Sequence, residues 1–272
     1  MPTLEPWAEL RTALRSAFQS EEFADLEVRC GPYRFKVHKV LLCTRSPWFA
    51  AACRKDAFKE GEEGVITLKS KHEVSEGDKD TADDPEAVRL MIHYFYHLDY
   101  PEDEDGSSTR KEPPLPTDPE SSSDTDEEFA GYNGEKRFSQ SKKNDKYVKA
   151  RNKGGHLVVH AKLYALADKY EVPGLKALSL AKFKASIHDN WDRLDSPELA
   201  SAIHIAYTST ADENKDLRRV VEDNLMSHLE AVLEKPEIAC ATNEVSGLAL
   251  RLLLRTQEVR QRSDKAKFGG AG

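Results

Sequence analysis

Strand-like alternation of apolar and polar residues marks one stretch near the N-terminus. Its apolar positions are Leu26, Val28, Cys30, Tyr33, Phe35 and Val37, and the turn-forming pair Gly31-Pro32 divides them. This pattern predicts a β-hairpin with one buried face. Since most other apolar residues recur at three- and four-residue steps, the sequence predicts an α+β fold with a small sheet among helices.

Helix-start signals occur twice after the hairpin. Ser46 can cap a helix whose first position is taken by Pro47, and Asp84-Pro85 repeats this arrangement before a strongly apolar helix. Two short helices are expected around the first signal, with a third strand at 65–68 between the two signals. The fold is thereby predicted to contain a short mixed sheet flanked by helices.

An amphipathic helix is predicted ahead of the hairpin, within residues 1–21. Its apolar face carries Trp7, Leu10, Leu14 and Phe18. Packing supplies most of the stability of such a helix, so this face needs a partner. Two alternatives remain open at this point: the helix packs on its own domain, or it forms a dimer face with a second copy.

Residues 101–155 interrupt the apolar pattern with Glu, Asp, Ser, Pro, Gly and Lys. This composition cannot bury enough apolar surface to offset chain entropy, roughly 1–2 kcal/mol per ordered backbone residue. We therefore predict a disordered insertion. Its acidic cluster Ser121-Ser122-Ser123-Asp124 is either a phosphate acceptor that switches contacts or a passive solvated linker.

Helical spacing returns beyond the insertion. A helical hairpin broken at Pro173-Gly174 is predicted first. Ser196-Pro197 then opens a region in which the apolar spacing predicts three more helices, one of them running from Leu217 to Val232. Residues 261–272 are polar and end in glycine, so they are expected to fray.

Five segments, taken together and in order, resemble the BTB/POZ family, and most closely the fungal-type BTB proteins that carry a helical tail. They are Phe23-Ala24-Asp25-Leu26-Glu27-Val28, Phe35-Lys36-Val37-His38-Lys39-Val40-Leu41-Leu42, Ser46-Pro47-Trp48-Phe49, Ile92-His93-Tyr94-Phe95-Tyr96 and Tyr164-Ala165-Leu166-Ala167-Asp168-Lys169-Tyr170. The resemblance implies a BTB/POZ fold over 22–187, interrupted by the insertion at 101–155. An all-helical extension over 188–272, with a flexible tail, completes the expected domain plan.

Partner-binding residues are implied by the same resemblance. Phe58-Lys59-Glu60 resembles the hydrophobic-x-Glu element with which BTB adaptors contact a cullin scaffold, and the alternative is a solubilising loop. Tyr96 resembles a second contact position, although a tyrosine at a helix end also suits a core. Asp25 and Lys39 resemble a charged pair that lines a partner groove in transcriptional relatives, and a plain surface ion pair is the alternative.

His38 can be interpreted without the family. It stands where a strand leads into a short helix, and a neutral imidazole both donates and accepts hydrogen bonds. It is therefore expected to satisfy backbone groups that the junction leaves without partners.

Several function classes find no support in the sequence. The net charge of −8 opposes attraction to phosphate backbones and anionic membranes, so neither direct nucleic-acid contact nor membrane contact is expected. The pairs His93/His97 and His156/His160 have helical spacing, but neither forms a zincin motif, and we expect satisfied or exposed histidines rather than metal ligands. Without a phosphate-binding loop or nucleophile elbow, we expect no enzyme activity and no cofactor.

The function expected from the sequence is protein–protein interaction, as an adaptor between a cullin-based ubiquitin ligase scaffold and an unnamed client. An oligomerising scaffold, or a nuclear corepressor subunit without its own DNA-binding domain, is the alternative. The N-terminus lacks the basic-then-apolar order of a signal peptide, and the four cysteines contain no Cys-x-x-Cys pair. A cytoplasmic or nuclear location is therefore expected.

Overall fold

A computed structural model describes residues 6–54, 63–70, 82–101, 156–189, 196–211 and 214–268. The strands are β1 (Leu26–Cys30), β2 (Tyr33–Val37) and β3 (Val65–Leu68). The helices that precede 190 are α1 (Pro6–Ser20), α2 (Lys39–Cys43), α3 (Pro47–Ala52), α4 (Pro85–His97), α5 (Leu157–Lys169) and α6 (Pro173–Asp189). Those that follow are α7 (Ser196–Thr208), α8 (Asp216–Ser227), α9 (Leu229–Glu234), α10 (Pro236–Glu244) and α11 (Leu248–Phe268).

The sheet is mixed, with strand order β2-β1-β3. β1 pairs antiparallel with β2 and parallel with β3, so Val28 lies opposite Phe35 on one side and Ile66 on the other. Gly31 adopts a left-handed φ of +52° in the turn between β1 and β2, a conformation that glycine accepts without strain. The predicted hairpin and third strand are confirmed.

Both predicted helix caps are confirmed. The Ser46 hydroxyl accepts a hydrogen bond from the Phe49 N–H at the start of α3. The Asp84 carboxylate accepts hydrogen bonds from the N–H groups of Glu86 and Ala87 at the start of α4. In each helix, proline fills the first position, where no backbone donor is needed.

Two hydrophobic cores share helix α5. The first core lies around the sheet and α4, and α5 contributes Leu163, Leu166 and Ala167 to it. The second core lies within the helical extension, and α5 contributes Leu157, Ala161 and Tyr164 to it. Opposite faces of one helix therefore join the sheet region to the extension.

The predicted break at Pro173-Gly174 separates α5 from α6. A Cβ atom at Gly174 would collide with the Tyr94 hydroxyl of α4. Only glycine therefore lets the start of α6 lie this close to α4.

The helical extension differs from the prediction in two respects. The expected helix from Leu217 to Val232 is broken at His228, whose φ of −126° and ψ of 30° are not helical, and α10 follows where no helix was expected. The prediction of three helices was therefore wrong, because apolar spacing continues through a backbone break. α11 continues to Phe268, so the segment for which fraying is predicted begins inside this helix.

The insertion predicted at 101–155 lies outside the described residues, apart from Pro101. Among the described residues, no helix is long and apolar enough to cross a membrane.

Candidate protein-interaction surface

The contact between Asp25 and Lys39 joins the start of β1 to the start of α2. The Asp25 carboxylate accepts a hydrogen bond from the backbone N–H of Lys39 at 2.7 Å, and the Asp25 N–H donates to the Val37 carbonyl at 3.1 Å. The carboxylate thus satisfies an N–H group in the first helical turn, where no intrahelical acceptor exists. Lys39 contacts Asp25 through its backbone N–H, so this hydrogen bond does not involve the Lys39 ammonium group.

His38, at the junction between β2 and α2, makes three hydrogen bonds: two through its ring nitrogens and one through its backbone N–H. Its Nε2 atom lies 2.8 Å from the Glu22 carbonyl oxygen, and its Nδ1 atom lies 2.8 Å from the Tyr96 hydroxyl oxygen. Since a carbonyl only accepts, Nε2–H donates to Glu22, and Nδ1 accepts the proton of Tyr96. The Tyr96 oxygen in turn accepts from the His38 backbone N–H at 2.9 Å. His38 is thus a structural residue as expected, but its imidazole contacts the Glu22 carbonyl and the Tyr96 hydroxyl and caps no backbone group of α2.

Tyr96 belongs to the core. Its side chain is only 1% exposed and stacks on Phe18 with ring centroids 4.6 Å apart. Burial raises the pKa of its hydroxyl to about 12, so the group stays protonated and can donate to His38. The ring therefore holds α1 and the β2–α2 junction in place, and in this conformation it offers a partner almost no surface.

The apolar face of α1 is divided between two environments. Phe18 packs against Tyr96 and against the edge of His97, so the C-terminal end of the helix lies on its own domain. Trp7 is 68% exposed and Leu10 is 49% exposed. Leu14, which lies between Leu10 and Phe18, is half-buried. Two neighbouring exposed apolar side chains on a helix that contacts its domain only at its C-terminal end are typical of an interaction surface.

The comparison with known families decides what kind of domain these elements form. The model of the BTB/POZ domain matches residues 14–104, from within α1 to just beyond α4. The chain contains a BTB/POZ domain. BTB/POZ domains are protein–protein interaction modules. No curated protein matches the chain.

Phe58 and Glu60 of the BTB/POZ domain lie outside the described residues. The segment that contains them connects Arg54, just after α3, to Glu63, just before β3. Their predicted role in partner binding stays a prediction.

Two exposed apolar residues flank the Asp25–Lys39 contact of the BTB/POZ domain and were not predicted as surface. Phe23 is 86% exposed and adopts a left-handed φ of 61°, and Val40 is 66% exposed. The exposure of Val40 could have been predicted from the helical spacing. Residues two positions apart lie on opposite sides of a helix, and Leu42 is the buried residue of α2. No local signal distinguishes Phe23 from a core residue.

The histidines considered as metal ligands in the sequence have other contacts in the structure. His93 and His97 stack with ring centroids 3.7 Å apart, and His93 Nδ1 bonds the Asp99 carbonyl at 2.9 Å. Burial lowers the pKa of His93 to about 4, with the neighbouring His97 adding to the effect. Within the ranges that the structure describes, no group of three or more His, Cys, Asp or Glu residues could hold a metal ion.

A cleft of about 250 Å³, with an apolar lining that includes two carboxylates, lies where the start of α4 meets α5 and α7. Its two carboxylates each contact a lysine: Asp83 accepts from Lys169 at 2.7 Å, and Asp84 accepts from Lys162 at 2.5 Å. The buried Asp83 also accepts from the Tyr170 hydroxyl at 2.6 Å. These contacts hold α5 on the α4 entry segment, a structural use that no local sequence pattern signals.

Proposed function

We propose that the chain is a non-catalytic adaptor whose BTB/POZ domain connects a cullin-based ubiquitin ligase scaffold to client proteins. The observation that carries the proposal is the position of Phe58-Lys59-Glu60, which follows α3 inside the matched domain and resembles the hydrophobic-x-Glu element of BTB adaptors. An aromatic anchor beside a carboxylate is also a common interface hot spot. Such recruitment raises the effective concentration of two partners for each other without chemistry in this chain.

The interaction domain is proposed to extend to residue 187, beyond the matched region. Support comes from α5, because Leu163, Leu166 and Tyr170 lie in the same core as the sheet and α4. The helices from 188 onward then form the extension that is available for a client.

The adaptor proposal is tested by capture of purified cullin scaffold on the immobilised full chain. We compare the wild type with the double variant Phe58→Ala/Glu60→Ala. The matched control is Leu254→Ala/Glu258→Ala, which removes an exposed apolar residue and an exposed glutamate on α11, outside the matched domain. Circular dichroism and light scattering check that each variant keeps its fold and oligomeric state.

Capture by the wild type and the control, with loss in Phe58→Ala/Glu60→Ala, is the expected result. Equal capture by all three chains would move the contact away from Phe58 and Glu60. Absence of capture by the wild type would overturn the adaptor proposal.

An oligomerising scaffold is the second candidate function. The observation that favours it is the exposure of Trp7 and Leu10 on α1, because a second copy could cover both residues. A stable dimer without cullin binding would support this function over the first.

A further inference from the structure

Two cysteines of the α2–α3 pair meet at one backbone atom. Cys43 ends α2, and Cys53 follows the last residue of α3. The Cys43 thiol donates to the Phe49 carbonyl oxygen at 3.6 Å, and the Cys53 backbone N–H donates to the same oxygen at 3.0 Å. The two residues therefore lie side by side although ten positions separate them in the sequence.

The shared carbonyl oxygen places the Cys43 thiol next to the backbone of Cys53. Burial, and then the nearby Cys43 thiol, raise the pKa of the Cys53 thiol to about 12. Cys43 lies one helical turn after Lys39 in α2, so the pair of cysteines is close to the Asp25–Lys39 contact. Both cysteines are half-buried, so a small reagent can reach them.

The other two cysteines have different surroundings. Cys30 is fully buried in β1. Cys240 is exposed on α10, where its thiol donates to the Glu244 carboxylate at 3.2 Å. Cys240 is therefore a built-in control for unspecific thiol oxidation.

We propose that Cys43 and Cys53 form a redox-active dithiol that small hydroperoxides oxidise reversibly to an intramolecular disulfide. Cys53 holds its proton, so Cys43 is assigned the attacking role and Cys53 the resolving role. The proposal does not depend on cullin binding.

The chemistry proceeds in two steps. The Cys43 thiol gives its proton to solvent, and its sulfur attacks one oxygen of the hydroperoxide; the O–O bond breaks, a sulfenic acid forms and the leaving hydroxide takes up a proton. The Cys53 sulfur then attacks the Cys43 sulfur, the S–O bond breaks, and the hydroxyl leaves with the Cys53 proton as water. With hydrogen peroxide, two thiols are oxidised to one disulfide and one peroxide is reduced to two waters.

The test treats the reduced, folded full chain with hydrogen peroxide, alkylates the remaining thiols and determines the mass of the chain and its peptides. The expected result for the wild type and Cys240→Ser is that Cys43 and Cys53 are not alkylated, and that their peptides are linked with a mass two hydrogen atoms below the sum of the two free-thiol peptides. Dithiothreitol should restore both thiols. Cys53→Ser should stop at a sulfenic acid on Cys43, which dimedone traps.

Three results would overturn the proposal: both thiols stay free in peroxide, the linked peptides contain Cys30 or Cys240 instead, or the Cys43–Cys53 link forms only in denaturant. The linked peptides of the wild type identify the paired cysteines, so the test does not depend on the folding of a serine variant. Phenylarsine oxide, which bridges two adjacent thiols with loss of one water, gives an independent measure of their spacing. One arsenical bound across Cys43 and Cys53 is expected, and separate labelling of the two would contradict it.

Discussion

The Ser46 hydroxyl donates a hydrogen bond to the Tyr170 carbonyl oxygen at 2.6 Å, across 124 positions of the sequence. The Ser46 hydroxyl oxygen also accepts a hydrogen bond from the Phe49 N–H, so one buried side chain caps α3 and holds the end of α5. The segments before and after the insertion are thus joined at a buried polar contact.

Ser46→Ala should lower the free energy of unfolding by about 1–3 kcal/mol, because it removes a helix cap and leaves a buried carbonyl without its donor. Urea unfolding followed by circular dichroism measures the loss. Ser201→Ala is the matched control, since Ser201 is exposed and bonds only the Pro197 carbonyl of its own helix. An equal loss of unfolding free energy in Ser201→Ala would contradict the prediction that the buried contact of Ser46 causes the loss.

Asp84→Asn should destabilise the chain at neutral pH but not in acid. Burial raises the pKa of Asp84, but the hydrogen bond and charge of Lys162 and two backbone N–H groups outweigh it and leave the pKa lowered. This stability is present above the unfolded pKa of about 3.9 and is lost as the pH falls through the lower folded value. Asparagine keeps the helix cap, so the variant isolates the charge.

Unfolding in urea between pH 7 and pH 3 tests the Asp84 prediction. The gap between wild type and Asp84→Asn should close toward the acid end. Asp216→Asn serves as the control, because Asp216 is exposed and lies 3.9 Å from its partner Arg219. A gap that stays constant with pH would contradict the prediction.

His160→Asn should flatten the dependence of stability on pH in the acid range. Burial, followed by the charges of Lys182 and His156, lowers the pKa of His160 to about 3. Below the unfolded pKa of about 6.5, the unfolded chain takes up a proton that the folded chain refuses, so stability falls as the pH drops toward 3. The asparagine amide can still contact the Tyr100 hydroxyl, which His160 Nδ1 meets at 2.8 Å.

Stability curves from pH 7 to pH 4 check the His160 prediction. The exposed His188 provides the control variant His188→Asn, which should keep the slope of the wild type. An unchanged slope in His160→Asn would mean that other groups cause the acid sensitivity.

Trp7→Glu/Leu10→Glu should convert a dimer of the full chain to a monomer, because it places two charges in the proposed apolar contact. Light scattering should show the mass halved. Ser16→Glu/Gln19→Glu carries the same charges at the same spacing on the opposite, exposed face of α1 and should remain dimeric. A wild-type monomer, or equal masses for both variants, would exclude this face as the dimer contact.

Local signals predicted the parts of the fold that neighbouring residues control. Alternation identified β1 and β2, and the pairs Ser46-Pro47 and Asp84-Pro85 identified two helix starts, because a cap depends on residues within one turn. Asp83, by contrast, bonds Lys169 and Tyr170, and no sequence pattern connects residues so far apart.

The errors in the extension have local physical causes. The interruption at His228 keeps the apolar spacing intact, so periodicity alone runs through it. The C-terminal end of α11 lacks apolar periodicity, but its Arg, Lys and Gln residues favour helix without needing a core. The sequence left open whether Tyr96 belongs to the core or to a partner contact; its ring is buried in the domain, and its role in partner binding stays a prediction.

Because α5 packs in both cores, the BTB/POZ domain is not expected to remain fully folded without the extension. Deleting it would leave Leu157, Ala161 and Tyr164 without their second core and would expose an apolar stripe to water. A client that tightens the extension should accordingly slow hydrogen exchange in β1, through the shared helix, without touching the sheet. Binding of a client to the extension would thus be detectable as slower hydrogen exchange in the sheet.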